Sequence, residues 1–146
     1  MTDKAKETPT APASTGLRGV VVGASTVSDV VGDKGELIYQ GYNIHDLAKN
    51  STFEEVAFLL WNKRLPKQAE LDELKRSLGR SYAVPDEVIT LLKKVPRDAD
   101  PIDTLRTTVS ALEFYDAGAR DISTENSRKI SIKLTAQFGT LVAATD

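Results

Sequence analysis

Polar and apolar positions along the chain fall into short units with clear beginnings. The sharpest is Ser51–Pro66, STFEEVAFLLWNKRLP. Thr52 with Glu55 three residues on forms a capping box just before an apolar run. Phe53, Val56, Ala57 and Leu60 share one helical face, and Phe58, Leu59 and Trp61 widen it. So wide a stripe predicts a helix covered on more than one side and closed by Pro66. We take it as the element the chain is organised around. Helices of this kind are core far more often than they carry chemistry.

Four further helical patterns follow. Lys67–Gly79 carries a narrower stripe of Ala69, Leu71, Leu74 and Leu78, with Gly79 as its stop. Pro85, beside Asp86 and Glu87, opens a helix that buries Val88, Ile89, Leu91 and Leu92 and ends at Val95-Pro96. Asp100 caps a helix from Pro101 to about Tyr115, with Ile102, Leu105, Val109 and Leu112 at steps of three and four. Its small residues Thr107, Thr108, Ser110 and Ala111 permit a close helix crossing. Ser123 opens the last helix, whose apolar set is Ile130, Leu134, Phe138, Leu141 and Val142, joined by Ile132, Ala136, Ala143 and Ala144. That helix is apolar on two sides and reaches Asp146 without a Gly or Pro stop. It is expected to meet a partner or a continuation of the chain.

Upstream the period shortens. Val20–Val22, Val27, Val30, Val31 and Leu37–Tyr39 predict short antiparallel strands, with a turn at Asp33–Gly35. Gly41-Tyr42-Asn43 ends this region, and Asn43 caps a short helix over Ile44–Ala48. Residues 1–15 are rich in Pro, Thr and Ala, have little to bury, and are expected to form a disordered arm. The fold class expected is mainly α, with a small antiparallel β element near the N-terminus.

Composition narrows the function classes. The 146 residues suffice for one domain with a core, and 40% are apolar. Nineteen basic and twenty-one acidic residues are interspersed, with no basic stripe, so no nucleic-acid partner is expected. No apolar run approaches a membrane span, no secretory signal is evident, and a cytoplasmic location is expected. Cysteine is absent, which excludes disulfides and thiolate chemistry. No metal-ligand spacing occurs. The glycines Gly19, Gly23, Gly32 and Gly35 fit neither phosphate-loop pattern. His45 is the single histidine, in the first turn of its helix. With no nucleophile or carboxylate partner placed by sequence, it reads as structural.

The order of these units resembles citrate synthase of the bacterial and archaeal type that includes 2-methylcitrate synthase. The phrases that carry the resemblance are Gly16–Val22, Leu37–Ile44, Leu47-Ala48, Ser51–Trp61 with Leu65-Pro66, Ala69–Leu71 and Leu105–Leu112. Together they run from about Gly16 to Ala144, and they place the chain in the N-terminal portion of the family's large helical domain. The resemblance implies condensation of acetyl-CoA with oxaloacetate to citrate, acetyl-CoA being a substrate and no cofactor being required. It implies a dimer built on antiparallel helices, here 101–115 and 123–144. It assigns no catalytic, cofactor-binding or metal residue, because His45 matches no family histidine and no Asp matches the catalytic aspartate. Where members often read His-Pro-Met, this chain has Asp100-Pro101-Ile102, which keeps the cap. The expectations are an N-terminal segment of a synthase, inactive until a C-terminal half completes it, or a truncated paralogue acting as a helical dimerisation or regulatory module that pairs with a full-length synthase. A helical protein of another activity is the third reading.

Overall fold

A computed structural model describes residues 25–145. The expected disordered arm and the predicted strand at Val20–Val22 lie outside these residues. Three antiparallel strands come first: β1 (Ser28–Val31), β2 (Glu36–Tyr39) and β3 (Tyr42–Asn43), in the order β1-β2-β3. A 3₁₀ turn at Gly32–Lys34, with Gly35 at φ 65°, joins β1 to β2 and sets Val31 opposite Glu36. The β2–β3 hairpin turns on Gln40 and Gly41, both at positive φ (49° and 87°). Tyr39 therefore pairs with Tyr42, and the segment expected to end the strand region adds a third strand. A two-residue loop with both φ values positive matches the strands' own twist.

Six α-helices follow among the described residues: α1 (Ile44–Asn50), α2 (Phe53–Asn62), α3 (Gln68–Arg80), α4 (Asp86–Leu92), α5 (Pro101–Ala111) and α6 (Thr124–Ala144). The molecule is mainly α with a small antiparallel sheet, as the pattern predicts. Helix α1 packs on β2 and β3 and is capped by Asn43, whose side chain accepts from the His45 N–H at 2.9 Å. The α2 capping box is complete: the Thr52 N–H donates to Glu55 Oε2 at 2.7 Å, and the Glu55 N–H donates to Thr52 Oγ1 at 3.3 Å. Helix α2 closes on Lys63 in the left-handed region (φ 61°), three residues before Pro66. At α3, Glu70 accepts from the Lys67 N–H at 2.8 Å. Gly79 lies inside α3 and does not stop it.

Helix α5 differs from its predicted form in two ways. The α-helix ends at Ala111, and its continuation, Leu112–Tyr115, is a 3₁₀ turn. Its buried face is Thr104, Thr108 and Ala111, while Ile102 is 71% exposed. The Thr108 hydroxyl donates to the carbonyls of Thr104 (3.0 Å) and Leu105 (3.1 Å), so it enters the core with its donor satisfied. Small side chains at the crossing let α5 lie close to its neighbours.

Two apolar clusters hold the helices together. Phe58 of α2, Leu74 and Leu78 of α3 and Ala136 of α6 make one, with Trp61 and Ile132 beside it. Val88 of α4, Ala111, Leu112 and Leu141 of α6 make the other, flanked by Val84, Leu105 and Val109. Helix α6 enters both. The centre of the fold is therefore α6, and α2, taken from sequence as the organising element, serves one side of it. The apolar stripe of α2 is wide, but only Phe58 and Leu59 are buried, and Phe53 is exposed.

Candidate functional site

His45 stands exposed on the first turn of α1, and the bond to Asn43 engages its backbone rather than its ring. Among the described residues no group of three or more His, Asp or Glu could hold a metal ion. A concavity lies elsewhere, between α5, α6 and the turn that joins them. It is a cleft of about 290 Å³, with Val109, Leu112, Ile130 and Leu134 as its apolar walls. Ser110, Glu113, Asp116, Lys133 and Gln137 supply its polar groups.

The chain positions these groups by local rules. Asp116 follows the 3₁₀ turn; its Oδ1 accepts from the Gly118 N–H at 2.9 Å and its Oδ2 from Lys133 Nζ at 2.8 Å. Asn126 closes the loop by donating to the carbonyls of Gly118 and Asp121, each at 2.7 Å. The Ser123 side chain caps α6 by accepting from the Asn126 N–H at 3.3 Å. Lys133 lies one turn before Gln137 on α6, so both project toward the same side. Gln137 is fully buried, and its Nε2 donates to the Ala83 carbonyl at 2.6 Å. A carbonyl only accepts, which fixes the amide orientation and leaves Oε1 without a hydrogen-bond partner.

The ion pair with Lys133, and next the Gly118 N–H, hold the Asp116 carboxyl below its ordinary range. Asp116 is thus a committed anion at neutral pH, with both oxygens engaged, and is unsuited to accept a proton from a substrate. Among the described residues no hydrogen bond pairs the cleft's hydroxyl, Ser110, with a base. The cleft is a packed seam between two helices, stitched by a salt bridge. Sequence reading gave no hint of it, because Asp116 and Lys133 belong to different elements and share no period. No catalytic residue is assigned on this geometry.

The family model that matches is citrate synthase, C-terminal domain, over residues 16–146. Citrate synthase 2 of Bacillus subtilis is 41% identical over 133 residues, covering 90% of this chain and 35% of that protein. 2-Methylcitrate synthase of Mycobacterium tuberculosis is 37% identical over 128 residues, covering 88% of this chain and 32% of that protein. The crystal structure of citrate synthase from Pyrobaculum aerophilum superposes with a TM-score of 0.81 at 28% identity, covering 99% of this chain and 40% of that one. The chain spans about a third of the length of the curated relatives it matches.

One expectation is overturned. The chain was placed in the N-terminal portion of the family and assigned the function of an N-terminal segment, but the matching model is that of the C-terminal domain. Caps, stripes and short phrases identify elements and their order. They carry no physical signal of where those elements sit within a longer parent. The family itself stands: the chain belongs to the citrate synthase family.

Proposed function

We propose that this chain is a helical framework of a citrate-synthase-type enzyme, one that joins the acyl group of an acyl-CoA to a 2-oxo acid. In such a condensation the carbon beside the thioester loses a proton, the enol attacks the ketone, and water releases CoA. That chemistry needs a base, donors for the enol oxygen and cations for the substrate carboxylates. The observation that carries the reading is the family match along residues 16–146, on relatives named citrate synthase and 2-methylcitrate synthase. The described residues supply scaffold chemistry in support of this role: capped helices, two apolar clusters and paired surface charges. In this reading the protein works in the cytoplasm as a homo-oligomer, its copies meeting through residues 101–115 and 123–144.

The test is release of CoA thiol from acetyl-CoA or propionyl-CoA in the presence of oxaloacetate. It is run on the chain combined with a polypeptide supplying the remaining two thirds of a family member. Turnover by the combination, purified away from host synthase, is expected. A combination that assembles and releases no CoA from either thioester overturns the reading.

A further inference from the structure

A second concavity, of about 500 Å³, opens where α2, α3 and the N-terminal half of α6 meet. Phe58, Leu74 and Ile132 give it an apolar lining, and Arg64, Glu70, Glu73 and Arg128 stand around it. Three of these four charges are already matched. Glu70 takes Arg64 through both oxygens, at 2.6 and 2.9 Å, and Glu73 accepts from Arg76 at 2.7 Å. Arg128 differs. Its Nη1 donates to a neutral acceptor, Asn62 Oδ1, at 2.7 Å, and among the described residues no carboxylate forms an ion pair with it. Asn62 is itself held, its Nδ2 donating to the Phe58 carbonyl at 2.8 Å. That bond commits the amide nitrogen, turns the oxygen toward Arg128 and fixes where the guanidinium stands.

We propose that this cleft binds a monocarboxylate with a short aliphatic tail. A guanidinium carries five N–H donors in a planar fork, and one bond to an amide leaves most of them open. A carboxylate accepts two of them in parallel, as a charge-assisted pair. The tail then lies along Phe58, Leu74 and Ile132, and its removal from water adds to binding. The facing wall does not repel the head, because Arg64 and Arg76 already neutralise Glu70 and Glu73. An aliphatic molecule without charge leaves the fork unmatched. A carboxylate without a tail gains only a surface ion pair, which is worth little. Tight binding therefore requires both parts in one molecule. Nothing in this inference depends on the condensation proposed above.

Equilibrium dialysis of the full chain against octanoate tests it, with 1-octanol as the tail alone and acetate as the head alone. Trp61, the single tryptophan, packs against the cluster of Phe58 and Leu74, so its emission reports on this cleft. The expected result is one octanoate per chain, with a change in Trp61 emission at the same midpoint. Dissociation constants for 1-octanol and acetate should be at least about tenfold higher. R128Q keeps a donor for Asn62 and removes the charge. It should raise the octanoate dissociation constant at least about tenfold while thermal melting is unchanged. R120Q, at an exposed arginine away from the cleft, should leave the constant as it is. Binding of 1-octanol as tight as that of octanoate overturns the proposal, as does R128Q binding like wild type. Absence of saturable binding up to about 10 mM octanoate overturns it too. If R128Q fails to fold, the comparison of octanoate with 1-octanol on the wild type still decides.

Discussion

Leu141 has no exposed surface and lies where α6 meets α4 and α5, with Val88, Ala111 and Leu112 around it. Truncating it removes several buried methyl groups and leaves a cavity that helices on both sides restrain from collapsing. We expect Leu141→Ala to cost about 2–5 kcal/mol in chemical denaturation, whereas the exposed Ile102→Ala stays within about 0.5 kcal/mol. Equal losses for the two would contradict the burial just described. A pH effect belongs to this scale too. The Arg64 guanidinium, gripping Glu70 through two nitrogens, and then the Lys67 N–H bring the Glu70 carboxyl down to about 2 from an ordinary 4.5. Because the folded-state affinity for a proton is lowered, the stabilisation is complete above about pH 4.5 and is lost as pH falls toward 2. Melting curves of Glu70→Gln should lie below wild type at neutral pH, and the gap should close across that window. A gap independent of pH would remove this account.

At the scale of elements, the caps were the most legible feature of the sequence. Thr52 and Glu55, Asn43, Asp100 and Ser123 all do in the structure what their positions announce, because capping depends on residues only two or three apart. Thr52→Ala should cost about 0.5–2 kcal/mol, read as a lower denaturation midpoint at unchanged slope. A change of slope instead would point to a broken transition rather than a weakened helix start. Faces were less legible than ends. The stripe on α5 named Ile102, Leu105, Val109 and Leu112; Leu112 is buried and Leu105 and Val109 flank its cluster, but Ile102 is exposed and Thr104, Thr108 and Ala111 are buried as well. Hydropathy ranks side chains one at a time. A close crossing selects for size, and a threonine that bonds back to its own helix is apolar enough to be buried.

For the whole molecule, the arrangement turns on α6 threading both apolar clusters and fastening distant loops. Gln137 reaches the Ala83 carbonyl, Thr140 Oγ1 donates to the Tyr82 carbonyl at 3.1 Å, and Arg128 donates to Asn62 Oδ1 at 2.7 Å. The two apolar sides of this helix were visible in sequence. Which side faces inward was not, since Ala136 and Gln137 with Leu141 won the interior over Leu134, Phe138 and Val142. Gln137 is buried because one carbonyl, fifty-four residues away, accepts from its amide.

The sequence by itself determined the helical class, the small sheet, the starts of the helices and the family, because each is written in short spacings that fold locally. Tertiary structure alone decided that α6 and not α2 is the axis of the fold, that α5 buries threonines, and that Asp116 and Lys133 meet across a cleft. Those outcomes depend on how surfaces far apart in the chain fit together, and a linear pattern holds no record of distance in space.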